Sequence, residues 1–287
     1  MARAGSIAVV TDSTALLPSG EAPADVTVVP LQVVIDEECF AEGAEEASPA
    51  AVLAAFAAKR KVSTSRPSPA RMRDVYARLA DEGYDQILSI HLSAELSGTL
   101  ESAQLAAREV SIPVTTLDTR SVGPAVGFAA AAAARAVRDG ASIEEAVAVA
   151  TARAERTRTL MYVDSLEPMR RGGRIGTAAA LLGSALAVKP LLTLGDGRVV
   201  VLEKVRTSQR ALARMEELAL EAIPEGRVEV AVGHLATAER AERLAEALTA
   251  GLGERLAVPV HLGEVGAGLG AHVGPGMLSV VVAPALA

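Results

Sequence analysis

The 287-residue chain has no tryptophan, three tyrosines and three phenylalanines, so aromatic side chains make up only 2% of it. A core filled by large rings is excluded, and so are the aromatic platforms on which single-stranded nucleic acids stack. The single cysteine, Cys39, excludes an internal disulfide and any multi-cysteine metal site. It reads as a small buried hydrophobe rather than a nucleophile. Positive charge is in deficit, at a formal net charge of −7, with acids and bases interspersed. That leaves no basic face for non-specific nucleic-acid binding. Long apolar runs are missing too. The longest, residues 122–134, is alanine-dominated, contains Gly and Pro, and is too short to span a bilayer. The first residues show no signal-peptide core. The expectation is a soluble, cytoplasmic protein. Two catalytic signatures are also absent: G-x-x-x-x-G-K-[ST] and G-x-S-x-G. NTP hydrolysis and α/β-hydrolase chemistry lose support accordingly.

Half of the residues are apolar, much of that fraction Ala, which suits close helix packing. Up to about residue 158, β-rich runs alternate with helical patterns. Strands are expected at 6–10, 26–35 (interrupted by Pro30), 86–91 and 113–117. Helices are expected at 48–59, 69–82, 99–110, 123–139 and 142–157. Ser48-Pro49 and Ser68-Pro69 place a cap and a proline at helix starts. Ser142 and Glu145 have capping-box spacing. This alternation implies a parallel, Rossmann-like sheet. Beyond 158 the pattern changes. A strand at 159–163, a short helix at 165–171 and a helix at 177–186 precede a hairpin, 191–194 and 199–205, turning at Gly195-Asp196-Gly197. A helix at 208–222, a strand at 227–234, a helix at 237–252 and strands at 258–265 and 277–283 follow. The fold class is therefore α/β in two domains: 1–158 with a parallel sheet, and 159–287 with a mixed or antiparallel sheet.

Four polar loops follow strands or open helices: Thr11-Asp12-Ser13-Thr14, residues 63–68, residues 93–99, and Asp118-Thr119-Arg120-Ser121. Ligands of open parallel sheets bind beyond the carboxyl ends of the strands. A crevice rich in hydroxyls and poor in cations suits one anionic head group better than a triphosphate. The most informative stretch is Gln86–Ala103, where a strand leads through a loop to Ser97-Gly98-Thr99 at a helix start. A helix N-terminus with unpaired N–H groups and a partial positive charge is a site for a carboxylate or phosphate. Ser and Thr are equally good caps that need no ligand. His272, in a Gly-rich loop reading, can donate to a carboxylate or simply bond to backbone. His91 fits a structural role, His234 either role, and His261 a solvent face. No His pair has metal-ligand spacing, so no metal is expected. Arg170, Arg171 and Arg174 around Gly172-Gly173 form a phosphate clamp or a solvated helix end. Ser97 as nucleophile, with His272 as base and Asp12 or Asp118 orienting it, is the hydrolase or acyltransferase alternative. The same hydroxyl and His also hold a carboxylate without reacting.

Taken together, these residues resemble the DegV family of bacterial fatty-acid-binding proteins that serve a fatty acid kinase. The resemblance rests on Thr11–Thr14, Val29-Pro30-Leu31, Thr64–Pro69, Leu96–Thr99 with Ser102-Ala103, Gly172–Ile175, Lys189-Pro190, Asp196-Gly197 and Ala271–Gly276. Arg66, Val273, Gly176 and Ser279 stand where the family often has Gln, Thr, Ser and Gly. The resemblance implies two α/β domains and an apolar tunnel for a long-chain fatty acid. It implies a carboxylate site at Thr64, Ser97, Gly98 and His272, supported by Ser65, Thr99, Asp12 and Ser13. It places Arg174, with Arg170 and Arg171, where an ATP-dependent kinase and the acyl phosphate are met. The implied protein is a carrier with no catalytic residue and no cofactor beyond its lipid. It serves phospholipid synthesis, with transient membrane-surface encounters.

Overall fold

Ile7–Val10 is apolar at every position, as a strand covered on both faces requires. In the computed structural model, which describes residues 6–16, 26–181, 188–223 and 225–286, that strand is central. Ile7–Asp12 pairs in parallel with Val26–Val29 on one side and Gln86–His91 on the other, and Gln86–His91 pairs in parallel with Val114–Asp118. Alternate side chains supply two separate cores. Ile7, Val9, Leu88 and Ile90 pack against Ala129, Ala130, Ala133 and Ala134 of helix Pro124–Arg138 and against Ile143, Ala146 and Ala150 of helix Ile143–Arg156. Ala8, Val10 and Ile87 pack against Met72, Val75, Tyr76 and Leu79 of helix Pro69–Asp81 and Ala103 and Ala106 of helix Thr99–Ala107. The small alanine side chains let the first pair of helices lie close to the sheet.

The second sheet has six strands in the order Arg198–Val205, Lys189–Gly195, Arg158–Tyr162, Leu278–Pro284, Val228–His234 and His261–Glu264. All neighbours are antiparallel except the last pair, which is parallel. Helices Ser208–Glu221 and Ala238–Leu252 bury Ala211, Met215, Leu244 and Leu248 against Leu160, Leu191, Val230 and Val280. The hairpin turns at Asp196 and Gly197, both left-handed, at φ 50° and 78°. Such a pair matches the twist of the flanking strands.

A third sheet orders Glu38–Ala41, Gln32–Ile35 and Val62–Ser65. Its Val33 and Ile35 pack with Val52 and Ala55 of helix Pro49–Ala57 and with Ala267. This packing corrects the division at 158. The two compact units are Met1–Gln32 with Ser65–Glu155, and Val33–Thr64 with Arg156–Ala287. The expected strand 26–35 splits at Pro30-Leu31, and its two halves join different sheets. Pro30 has no N–H to donate to a ladder. Strands Glu38–Ala41 and Val62–Ser65 carry mostly polar or part-exposed residues, and alternation did not reveal them. Cys39 lies on the first of these and is exposed, not buried. The expected helix 177–186 is a 3-10 segment over Gly176–Leu181, and its remainder lies outside the described residues.

Helix starts follow the expected chemistry. Ser48 and Ser68 accept from the N–H groups of Ala51 and Arg71, each with proline at the first helical position. The Ser142 hydroxyl accepts from Glu145 N–H at 3.2 Å, and the Glu145 carboxylate accepts from Ser142 N–H at 2.8 Å. Ser142→Ala removes half of this reciprocal cap and is expected to cost about 1 kcal/mol. That is a fall of roughly 2–4 °C in the melting temperature, checked by calorimetry.

Candidate functional site

Thr64 sits near the end of strand Val62–Ser65, where the side chain is part-buried. Its Oγ1 lies 2.7 Å from His272 Nε2. His272 is not in a loop, contrary to the sequence reading. It occupies the last turn of helix Ala267–Val273, whose glycines read as turn residues. That helix is pinned at its first turn. The N–H of Gly268 donates to Glu42 Oε1 at 2.7 Å, and a Cβ at Gly268 would lie 2.8 Å from the other carboxylate oxygen. Glu42 went unnoticed in the sequence, where it is 226 residues away with no local signal.

On its other side His272 meets the Gly-Gly-Arg turn. A Cβ on Gly172 would stand 2.3 Å from His272 Nδ1, so only glycine admits the ring here. Arg174 folds back and donates from Nη1 to the carbonyl of Gly172. Burial, and then the positive charge of Arg174, lowers the His272 pKa to about 4. The ring is therefore neutral at pH 7 and carries one proton. Nδ1 is buried without a hydrogen-bond partner. An orphaned N–H is rarer in folded proteins than an orphaned acceptor. We therefore assign the proton to Nε2, which donates to Thr64 Oγ1. The Thr64 hydroxyl proton is then left to donate to another group.

In the other unit, Gly98 is the N-cap of helix Thr99–Ala107, and no side chain caps it. Ser97 Oγ is 2.8 Å from Thr99 Oγ1 and accepts from Thr99 N–H at 3.3 Å. Thr99 is fully buried. Arg66 donates to the carbonyl of Gly98 at 3.2 Å and pairs with Glu101. Its guanidinium lies where a Cβ on Gly98 would go. The exposed Ser65 hydroxyl donates to the Arg66 carbonyl at 3.4 Å. Ser13 Oγ accepts from Leu31 N–H at 2.9 Å. Asp12 is fully buried and bonds to Thr14, His91 and Leu92.

The orienting carboxylates that a Ser97–His272 triad needs are engaged elsewhere. Asp12 serves its own unit, and Asp118 accepts from Arg120 N–H at 2.8 Å. His91 is the structural residue expected, fully buried and bonded on both nitrogens. Arg170 and Arg171 both bind the Glu167 carboxylate from the last turn of helix Glu167–Arg171, at 2.7 and 2.8 Å. These three bonds, those of Arg170 foremost, lower the Glu167 pKa to about 2. The pair reads as a solvated helix end, with Arg174 the one arginine of the cluster that comes close to His272. Among the described residues no group of three His, Cys, Asp or Glu side chains is arranged to hold a metal ion. No described helix is long and apolar enough to cross a membrane.

Residues 6–285 match the family described as "Uncharacterised protein, DegV family". The chain belongs to the DegV family. A DegV domain-containing protein of Streptomyces coelicolor is 48% identical over 280 residues, covering 96% of this chain and 98% of that one. A fatty acid-binding DegV family protein from Thermus thermophilus superposes with a TM-score of 0.89 at 30% identity, covering 98% of this chain and all of the other. DegV from Bacillus subtilis, a fatty acid-binding protein, superposes with a TM-score of 0.88 at 32% identity, covering 98% of this chain and 99% of the other. The α/β architecture, with its parallel four-stranded sheet and separate mixed sheet, is thus that of DegV structures, several of which bind fatty acids.

The depressed His272 pKa sets a pH dependence. Its folded value, about 4, lies below the ordinary 6.5, so the unfolded chain takes up more protons in that interval. The stabilising preference for neutral His272 is complete above pH 6.5 and is lost as the pH falls to 4. The loss amounts to at most roughly 3 kcal/mol. Melting temperatures measured across this window are expected to fall less steeply in His272→Gln than in the parent protein.

Proposed function

We propose that this protein binds a long-chain fatty acid and presents its carboxylate to a separate ATP-dependent kinase, which forms an acyl phosphate. The observation that carries the reading is the Thr64–His272 pair. The neutral imidazole, with its proton assigned to Nε2, donates to the Thr64 hydroxyl oxygen, which leaves the hydroxyl proton to donate to another group. A carboxylate accepts such a donor without a strong cation beside it, and its negative charge is only partly offset. Ser97 Oγ and the backbone N–H of Gly98, in the other unit, are the further donors of this reading. Ser65, Thr99, Asp12 and Ser13 hold these segments in shape.

The fatty acid binding of DegV relatives supports the choice of ligand. The apolar tail supplies the affinity. A chain of ~16 carbons buries roughly 15 methylenes at about 0.8 kcal/mol each, before the costs of association are subtracted. The head group supplies orientation. The sequence has no phosphate loop, so ATP is assigned to the partner. Arg174, next to His272 and in contact with the Gly172 carbonyl, is assigned to the partner or to the charge developing on the acyl phosphate.

Mass spectrometry of ligand extracted from the purified protein is expected to return fatty acid. In titration calorimetry with palmitate and oleate, Thr64→Val and Ser97→Ala are each expected to weaken binding about tenfold, the range of one charge-assisted hydrogen bond. Unchanged affinity in both variants rejects the head-group site.

Arg174→Ala is expected to keep its lipid and to slow acyl-phosphate formation by a cognate kinase about a hundredfold or more, the range for loss of a stabilising cation. Lost lipid binding with normal turnover reverses that assignment.

A further inference from the structure

Beneath the Ser97 loop, and entirely inside its unit, runs a buried chain of four polar side chains. Tyr76 OH is 2.8 Å from Ser89 Oγ, and Ser89 Oγ is 2.8 Å from His91 Nε2. His91 Nδ1 is 3.0 Å from Asp12 Oδ2. All four residues are fully buried. Asp12, His91 and Ser89 have the connectivity of a hydrolase triad. Solvent does not reach them, and Ser89 Oγ is already taken by Tyr76, so no substrate can be attacked.

The proton directions follow from Asp12, because a carboxylate only accepts. His91 Nδ1–H donates to it, so in a neutral ring Nε2 accepts from Ser89, and Ser89 Oγ in turn accepts from Tyr76 OH. The Asp12 carboxylate is the end of the chain and the acceptor for everything around it. Its Oδ1 takes Thr14 N–H at 3.1 Å and Thr14 Oγ1–H at 2.5 Å. Its Oδ2 takes Leu92 N–H at 2.9 Å as well as His91.

Leu92 is the first residue beyond the strand Gln86–His91. The backbone after it is built stepwise on that start. Ser93 N–H donates to the Ser121 carbonyl at 2.8 Å, Ser93 Oγ accepts from Glu95 N–H at 3.2 Å, and the Ser93 carbonyl accepts from Ser97 N–H at 3.1 Å. We infer that Asp12 is a positioning residue. Its carboxylate fixes Leu92 N–H and thereby sets where the Ser93–Thr99 loop presents Ser97 and Gly98. His91, Ser89 and Tyr76 stabilise the sheet but do not themselves hold the loop. The inference rests on the reading of Ser97 as a head-group donor.

Asp12→Asn keeps the size and the acceptor for Thr14 but turns an amide toward Leu92 N–H. His91→Asn keeps a donor to Asp12 and breaks the link to Ser89. Tyr76→Phe removes the far end of the chain. Hydrogen exchange is measured on ligand-free protein, and palmitate affinity by calorimetry. Asp12→Asn is expected to speed amide exchange over residues 92–99 at least tenfold and to weaken palmitate about tenfold. His91→Asn and Tyr76→Phe are expected to lower the melting temperature while leaving both quantities within about threefold. If exchange over 92–99 is unchanged in Asp12→Asn, or rises equally in His91→Asn, the positioning role is overturned. Faster exchange with unchanged palmitate affinity supports the positioning role and rejects Ser97 as a head-group donor. Should Asp12→Asn not fold, the unaltered protein decides. Its Leu92 amide is expected to exchange only on global unfolding, and rapid exchange there overturns the inference.

Discussion

A carboxyl group withdrawn from water must be surrounded by donors, and the parallel-sheet unit is arranged around that requirement at Asp12. The apolar strand Ile7–Asp12 ends in a buried acid. Four hydrogen bonds reach it from Thr14, His91 and Leu92. Two loops that leave the sheet at its carboxyl edge are thereby tied to one side chain. A third is joined through the His91 carbonyl, which accepts from both N–H and Oγ1–H of Thr119. The polar loops of this unit are therefore a connected structure whose shape follows from the sheet beneath it.

The other unit meets its polar requirement differently. His272 is kept neutral by burial and by Arg174, and its one proton is directed to Thr64. The cations near the candidate groups are themselves engaged. Arg66 is paired with Glu101, Arg170 and Arg171 with Glu167, and Arg174 bonds to the Gly172 carbonyl. The candidate groups left are hydroxyls and backbone N–H groups rather than guanidinium forks. That chemistry favours a singly charged carboxylate over a polyphosphate.

Much of the fold was legible because its signals are local. Ser-Pro helix starts, the Ser142–Glu145 box and the Asp-Gly hairpin depend on neighbouring residues and appear as expected. The strand Gln86–His91 and the helix start at Gly98-Thr99 were equally readable, since an apolar run and a capping cluster adjoin. Signals that depend on distant packing were not. Residues 33–64 read as a continuation of the first domain, yet Val33, Ile35 and Val52 bury with Ala267. The helix bearing His272 is rich in glycine and read as a loop. Glycine is tolerated there because Glu42, Gly172 and Thr64 hold the helix from outside.

By itself, the sequence determined the two α/β halves, the hydroxyl-rich loops and the family resemblance, since strand periodicity, caps and turn residues act over a few positions. Only the tertiary structure decided which unit residues 33–64 join and that His272 is neutral. It alone decided that Asp12 serves the interior and that Arg174, not Arg170 or Arg171, approaches the imidazole. Each of these depends on burial and on partners far away in the chain, and a protonation state or a buried hydrogen bond exists only once those partners are in place.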